Sequence, residues 1–366
     1  MKNINRIVPL FLIIFLLMGC SQEKKLPSPL ILSMNMLDDH TGLLLVEHGQ
    51  IEKEKIIRGF SDWGKFRAVL RTTDGGNHWS DITPKAIADR PFYYSDRYIA
   101  TDFLDSNHGW IAASSYGKTI VDIFSTTDGG KTWSQTTVDP KYAYPSSNLY
   151  SLSFIDPLHG WLSVSPDSGL STPSGDLYVT EDGGFHWSRL SLPSGGRVTF
   201  LSRSYGILNI NNKVYETNNS GQSWQLVDSS ANVFKLRKNL LLKNTNEIAR
   251  FNGSNLEYKT INMPQNAKGV LDFVDETNGY LVCMSGKGDV LFKTNDGGLN
   301  WNESNLTGFK VNQIRFISPQ VGYAVGENKL FKTNNGGKTW INIKIGGIGF
   351  SLPPFGLDSE TTDTGV

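Results

Sequence analysis

One seven-residue phrase recurs six times along this chain, and it restricts the fold more than any other feature. In the first half it reads Thr73-Asp74-Gly75-Gly76-Asn77-His78-Trp79, Thr127-Asp128-Gly129-Gly130-Lys131-Thr132-Trp133 and Glu181-Asp182-Gly183-Gly184-Phe185-His186-Trp187. The later copies are Asn218-Asn219-Ser220-Gly221-Gln222-Ser223-Trp224, Asn295-Asp296-Gly297-Gly298-Leu299-Asn300-Trp301 and Asn334-Asn335-Gly336-Gly337-Lys338-Thr339-Trp340. Its physics is local. The Asp or Asn oxygen accepts backbone N–H groups across a tight turn, the glycines supply positive φ, and the Trp pins the turn against its neighbour. Asn219 and Asn335 keep an acceptor oxygen, so their turns are weakened rather than lost.

A second phrase precedes each copy. It is clearest in Phe103-Leu104-Asp105-Ser106-Asn107-His108-Gly109-Trp110, Phe154-Ile155-Asp156-Pro157-Leu158-His159-Gly160-Trp161 and Phe273-Val274-Asp275-Glu276-Thr277-Asn278-Gly279-Tyr280. A fourth copy runs Phe316 to Tyr323, and degenerate versions run Met36 to Leu43 and Phe200 to Ile207. Each reads as strand, tight turn, strand. The six-fold phrase resembles the Asp-box, the bacterial neuraminidase repeat. A full unit is then four strands, which is one blade of a β-propeller.

Spacing gives the blade number. The Asp or Asn positions 74, 128, 182, 219, 296 and 335 are separated by 54, 54, 37, 77 and 39 residues. The interval of 77 holds two units of about 38, close to the ~40–45 residues of a blade. The hidden unit lies in Asn232 to Asn262, with Asn252-Gly253-Ser254-Asn255 replacing the box and Tyr258 expected in the Trp place. The expected fold is all-β, a seven-bladed β-propeller of four-stranded antiparallel blades with Asp-box turns, over residues 33–345. Residues 346–366, with Pro353-Pro354 and a polar end, are expected to form a loose tail.

The N-terminus is of a different kind. Lys2 and Arg6 precede an apolar run, Ile7 to Met18, shorter than the roughly 20 residues that span a bilayer. It ends in Leu17-Met18-Gly19-Cys20 before the polar Ser21 to Lys25, the pattern of a bacterial lipobox. Residues 1–19 are therefore expected to be a signal peptide and Cys20 the lipidated first residue of a linker, 20–32. Two or three acyl chains at about 0.8 kcal/mol per buried CH2 anchor a protein stably. The expected location is the extracytoplasmic face of a membrane. Cys283 is the other cysteine, set in the apolar run Tyr280 to Met284 and read as a small buried hydrophobe. Two cysteines build no disulfide scaffold. A formal net charge of +0 lacks the basic excess of a nucleic-acid binder.

Repeat residues are scaffold and carry no chemistry. Asp74, Trp79, Asp128, Trp133, Asp182, Trp187, Asn219, Trp224, Asp296, Trp301, Asn335 and Trp340 are assigned to turns. His78, His108, His159 and His186 fall in turns of different blades, so no metal site is expected; nor is a cofactor or a catalytic residue. Both phrases crowd one end of the blades. The other end carries the irregular connections, because the first three boxes lie 54 residues apart against about 38 later. Those loops hold aromatics and basic residues, and Trp63, Arg67, Arg90, Tyr93, Tyr94, Arg97, Tyr116 and Tyr142 are the candidate partner-binding set. The competing reading is that the loop aromatics only pack the loops onto the scaffold.

With its Thr-x-Asp-Gly-Gly-x-x-Trp style of box, most of the chain resembles the photosystem II assembly/stability factor family. That resemblance implies a seven-bladed propeller and a non-enzymatic, monomeric assembly factor on the extracytoplasmic side, with lipidated members in bacteria. The implied partners are the membrane, through Cys20, and a membrane or cell-envelope protein. Two other classes stay open: a surface lipoprotein binding carbohydrate or cell wall, and a glycoside hydrolase. A sialidase would carry a Phe/Tyr-Arg-Ile-Pro phrase before the first box, and this chain lacks it. Another glycosidase would need two carboxyls about 5–9.5 Å apart, which one sequence cannot pair.

Overall fold

A computed structural model describes residues 29–49, 65–88, 96–115, 120–140, 148–165, 175–237, 239–244, 246–264, 269–283 and 289–345. Among them run seven four-stranded antiparallel sheets, each built from four consecutive strands. The first strands are Leu30–Met36, Asp96–Phe103, Asn148–Phe154, Arg197–Phe200, Val233–Arg237, Gly269–Phe273 and Gln313–Phe316, and they set blades 1 to 7. First strands of neighbouring blades lie side by side around the axis. The expected seven-bladed propeller is the fold found. Its one described helix is a single turn, Lys85–Ala88, whose Ile87 packs into the core between blades 1 and 2. No helix among the described residues is long and apolar enough to cross a membrane.

Each box is a small hydrogen-bonded machine, and blade 2 shows how it works. Asp128 Oδ1 accepts the Thr132 amide at 3.0 Å and Oδ2 accepts the Thr132 hydroxyl at 2.6 Å. The Thr126 hydroxyl donates to Asp128 at 2.8 Å while accepting the Gly130 amide at 2.8 Å. The same hydroxyl serves every box, as Thr72, Thr126, Thr180, Thr217, Thr294 and Thr333, and it lies two residues before the Asp or Asn. Gly129 has φ +75°, and a Cβ there would sit 2.6 Å from the Ser106 carbonyl oxygen. That close approach lets the Gly129 amide donate to Asn107 O at 2.9 Å, joining the two recurring phrases at one end of the blade. In the Asn copies the turn is kept: Asn335 Oδ1 accepts the Thr339 amide at 2.9 Å, and its Nδ2 donates to the Thr339 hydroxyl.

Aromatic rings tie blade to blade. Trp110 of blade 2 stacks on Phe154 of blade 3 with centroids 3.6 Å apart, and its indole N–H donates to Gly183 O at 2.7 Å. Phe154 in turn meets the box Trp187 of its own blade edge-on at 6.1 Å. The relay repeats as Trp161 on Phe200 and Tyr280 on Phe316, at 3.8 and 3.5 Å. Each stacked pair contributes about 0.5–1.5 kcal/mol beyond the burial of its area.

Blade 5 departs from the others. Tyr258 does not take the Trp place. It lies in the middle of the outer strand Leu256–Thr260, 45% exposed, with the Lys243 ammonium 5.0 Å from its ring centroid. The residue that packs inward there is Leu256, against Tyr205, Val214 and Phe251. The four-residue turn Asn252–Asn255 is shorter than a box, which brings the inward position forward to Leu256.

Among the described residues, ring closure uses no exchanged strand. Blade 7 meets blade 1 through Gln313, whose amide accepts Met34 N at 3.0 Å and donates to Leu32 O at 2.8 Å. Lys332 and Tyr323 both donate to Gly75 O, and Tyr323, Val325 and Leu330 share a core with Met36 and Leu44.

Two outcomes are expected. Trp133→Ala or Trp187→Ala should cost about 3–5 kcal/mol in chemical denaturation, the loss of a packed aromatic; an unchanged midpoint would remove the boxes from the stabilising scaffold. The turn carboxylates also set an acid limit. Burial raises Asp182 and Asp275, but the amide and side chain of His186 and of Asn278 respectively outweigh it and hold each carboxyl at about 2. The same direction holds for Asp74, Asp105, Asp128, Asp156, Asp228 and Asp296, against two buried carboxyls, Asp102 and Asp272, that are raised. A lowered folded pKa gives stability that is present above the unfolded value near 3.9 and lost as pH falls toward 2. The melting temperature should therefore be flat from pH 7 to about 5 and drop between about 4 and 2.

Candidate functional site

The register of the first strands places a charged cluster at the inner edge of blades 5, 6 and 7. In blades 2, 3, 4, 6 and 7 the first strand ends on a core Phe, namely Phe103, Phe154, Phe200, Phe273 and Phe316, all buried. The residue before each Phe faces away from that core, because side chains alternate along a strand. Asp102 and Asp272 hold that place in blades 2 and 6, and each accepts an amide of the following blade: Phe154 N at 2.6 Å and Phe316 N at 2.7 Å. Arg315 holds it in blade 7. A bulge between Lys235 and Arg237 sets Arg237 in that same place in blade 5, opposite Leu240 as Asp272 is opposite Tyr280, and Phe251 of the third strand supplies a ring, stacked on Tyr205 at 4.9 Å.

Arg237 spans three blades. It reaches Asp272 at 2.9 Å and the carbonyls of Phe273 and Phe316. Arg315 lies 3.5 Å from the other Asp272 oxygen and donates to Leu236 O at 2.9 Å. Burial lowers the Arg237 guanidinium to about 10 and also lowers Arg315, with Asp272 pulling both back up. Burial raises the Asp272 carboxyl, and the two guanidiniums and the Phe316 amide oppose it. Two cations share one carboxylate, so the cluster is net positive. The Arg315 Nε–H has no partner among the described residues. Across the axis Asp102 is raised by burial and drawn back by the Lys235 ammonium and the Phe154 amide. This end of the axis can seat a carboxylate or a run of peptide carbonyls, and both axis carboxylates are already committed to main-chain amides.

Only some of the candidate loop set is described. Arg67, on the third strand of blade 1 (Lys65–Thr72), pairs with Glu47 at 3.6 Å. Arg97 has its backbone in the first strand of blade 2 (Asp96–Phe103), and its side chain lies outside the description. Trp63, Arg90, Tyr93, Tyr94, Tyr116 and Tyr142 lie outside the described residues, as does Cys20. The turn histidines bond their own turn carboxylates: His108 with Asp105, His159 with Asp156, His78 with Asp74 and His186 with Asp182. Cys283 is half-buried, and burial followed by Asp289 pushes its thiol up, away from reactive thiolate. Sequence reasoning missed Arg237, Asp272 and Arg315. The signal was partial: Asp272 and Arg315 stand directly before the recurring Phe, while a bulge between Lys235 and Arg237 hides the matching place in blade 5.

The cluster predicts a measurable asymmetry. Asp272→Ala leaves two buried guanidiniums uncompensated and should cost about 3–5 kcal/mol. Asp272→Ala combined with Arg237→Met should recover some of that loss in urea melts. Equal midpoints for the single variant and the native chain would show that the network contributes nothing.

Comparison with known proteins gives consistent matches. The family model described as Photosynthesis system II assembly factor YCF48 matches residues 58–205 and 251–350. A Synechococcus protein named Photosystem II assembly lipoprotein Ycf48 is 26% identical over 253 residues, covering 65% of this chain and 69% of that protein. The solved structure of YCF48 bound to D1 peptide superposes with a TM-score of 0.49 at 19% identity, over 67% of this chain and 80% of that one. The GH74 xyloglucanase of Xanthomonas campestris matches with a TM-score of 0.54 at 11% identity, over 86% of this chain and 54% of that one. At that identity the likeness concerns the propeller alone.

Proposed function

The chain belongs to the photosystem II assembly factor family of YCF48, and from that premise we propose that it is a non-enzymatic, polypeptide-binding assembly factor tethered by a lipid on Cys20 to the extracytoplasmic face of a membrane. The observation that carries the reading is the family match across both halves of the ring. The tether is supported by Leu17-Met18-Gly19-Cys20 and by the Synechococcus relative, itself named a lipoprotein. A signal peptide over 1–19, a linker over 20–32 and a loose tail over 346–366 belong to the same proposal, as does a monomeric state.

The partner is a membrane or cell-envelope protein. A rigid ring with most of its hydrogen-bonding groups spent internally offers binding through what it displays at its two ends. The long connections of blades 1 to 3 carry Trp63, Arg90, Tyr93, Tyr94, Tyr116 and Tyr142 in sequence, with Arg67 and Arg97 at their borders. At the turn end of the axis stands the net-positive cluster of Arg237, Arg315 and Asp272. Aromatic and arginine side chains are the usual anchors of such surfaces.

Crosslinking and affinity capture from membranes, with a panel of glycoside substrates alongside, tests the reading. Cys20→Ser should move the protein from the membrane to the soluble fraction. Trp63→Ala with Tyr94→Ala should leave the melting temperature unchanged and weaken capture of a membrane-protein partner by roughly tenfold or more. Turnover of a glycoside, or capture indifferent to both changes, would overturn it.

A further inference from the structure

Six blades press an indole against the outer region of the preceding blade, and blade 5 presses only Leu256. Leu256 pairs with Phe251 in register. Trp133 stands in the same place in blade 2, one step beyond the Ser125–Ser134 pair. The box glycine and Trp of the other blades cover the preceding blade, as Gly130 and Trp133 do Ile82, whose carbonyl accepts the Trp133 indole N–H at 2.9 Å. Without that cover, a cleft of about 340 Å3 opens between blades 4 and 5, within the ~300–1,000 Å3 of small-ligand sites. Its walls include Tyr205, Val214, Val227, Leu256 and Tyr258.

We propose that this cleft is a docking pocket for one aromatic side chain, Trp or Tyr, carried on a basic segment of a partner polypeptide. The inference rests on the reading of the chain as a polypeptide-binding factor. Shape argues for the aromatic ring, because the fold itself seats an indole at the equivalent place in six blades. The walls are held ready: Tyr205 is buried, stacked on Phe251 at 4.9 Å, with its phenol paired to Glu216. Half-exposed Val227, on the outer strand of blade 4 (Gln225–Asp228), adds an apolar side chain to the cleft wall.

Charge sets the segment that carries the ring. Lys243 is the cation of the cleft, bridged by Asp228 at 3.0 Å and Glu247 at 3.5 Å, with Glu216 on the facing wall. Three carboxylates thus face one ammonium. Two other cations of blade 5 turn toward blade 6 instead: Lys259 donates to Asp296 O and Arg250 pairs with Glu276. Six of the ten lining residues fall in residues 206–250, between the two stretches that the family model matches.

The tripeptide Lys-Trp-Lys, titrated against the full-length protein in detergent by ligand-observed NMR, tests the proposal, with Glu-Trp-Glu as its charge-reversed control. Lys-Trp-Lys should bind and Glu-Trp-Glu should bind more weakly. Leu256→Trp fills the cleft from within and should weaken Lys-Trp-Lys by at least about tenfold. Tyr258→Ala, at a half-exposed position, should do the same and carries the test if Leu256→Trp does not fold. No binding to the native protein, equal binding to native and variant chains, or a preference for Glu-Trp-Glu would each overturn the pocket. Capture of the membrane partner by the native protein is read separately: retained capture without tripeptide binding removes the cleft alone, and lost capture removes the assembly reading.

Discussion

The ring depends on a large side chain from one blade's second strand packing on the residue that ends the next blade's first strand. The contact is an aromatic stack on Phe at three of the joins and aliphatic or Met packing at others. A four-stranded sheet of this size has two apolar faces and cannot bury either by itself. Stacking Trp110 on Phe154, or Tyr280 on Phe316, gives each sheet a neighbour at a fixed distance and angle. The box Trp then meets the same Phe edge-on and closes the junction from outside. The turn chemistry serves this contact: the Thr hydroxyl and the Asp carboxylate satisfy the amides of a tight turn so that an indole can leave it in one direction only.

Where the stack is missing, the chain improvises, and the improvised places carry the unusual chemistry. Blade 5 has lost the Phe, the box glycines and the Trp together. Phe251 of the third strand meets Tyr205, and Arg237, set by a bulge in the place that Asp272 and Arg315 hold in the next blades, reaches across blade 6 to blade 7. A cleft opens outside this blade and a charged knot forms inside it. Regular blades hold the ring; the irregular one has surface to offer.

Fold legibility followed from repetition. Six copies of a turn with a physical rationale were enough to give blade number, strand order and the end on which both phrases lie. Tyr258 shows the limit. Spacing placed an aromatic near the expected Trp, but a turn of different length moved the Trp place to Leu256, and Tyr258, two residues further along the same face, is 45% exposed. The axis cluster was harder to read, because Arg237, Asp272 and Arg315 are 35 and 43 residues apart and meet only once the ring is closed. In blade 5 a bulge between Lys235 and Arg237 offsets the residue count, so the place Arg237 shares with Asp272 and Arg315 is visible only once the strands are paired. The loop aromatics have no such register to place them.

The seam between blades 7 and 1 has a mechanical consequence. Many closed rings borrow a strand across the join, whereas this one relies on Gln313, Tyr323, Lys332 and a shared apolar core. A pull on the chain ahead of Leu30 loads the innermost strand of blade 1 first, and the side chains at that join bear it without a strand threaded through them. The ring therefore has a built-in opening edge at the start of blade 1, and a force applied there would load the join of blades 7 and 1 before any sheet of the ring.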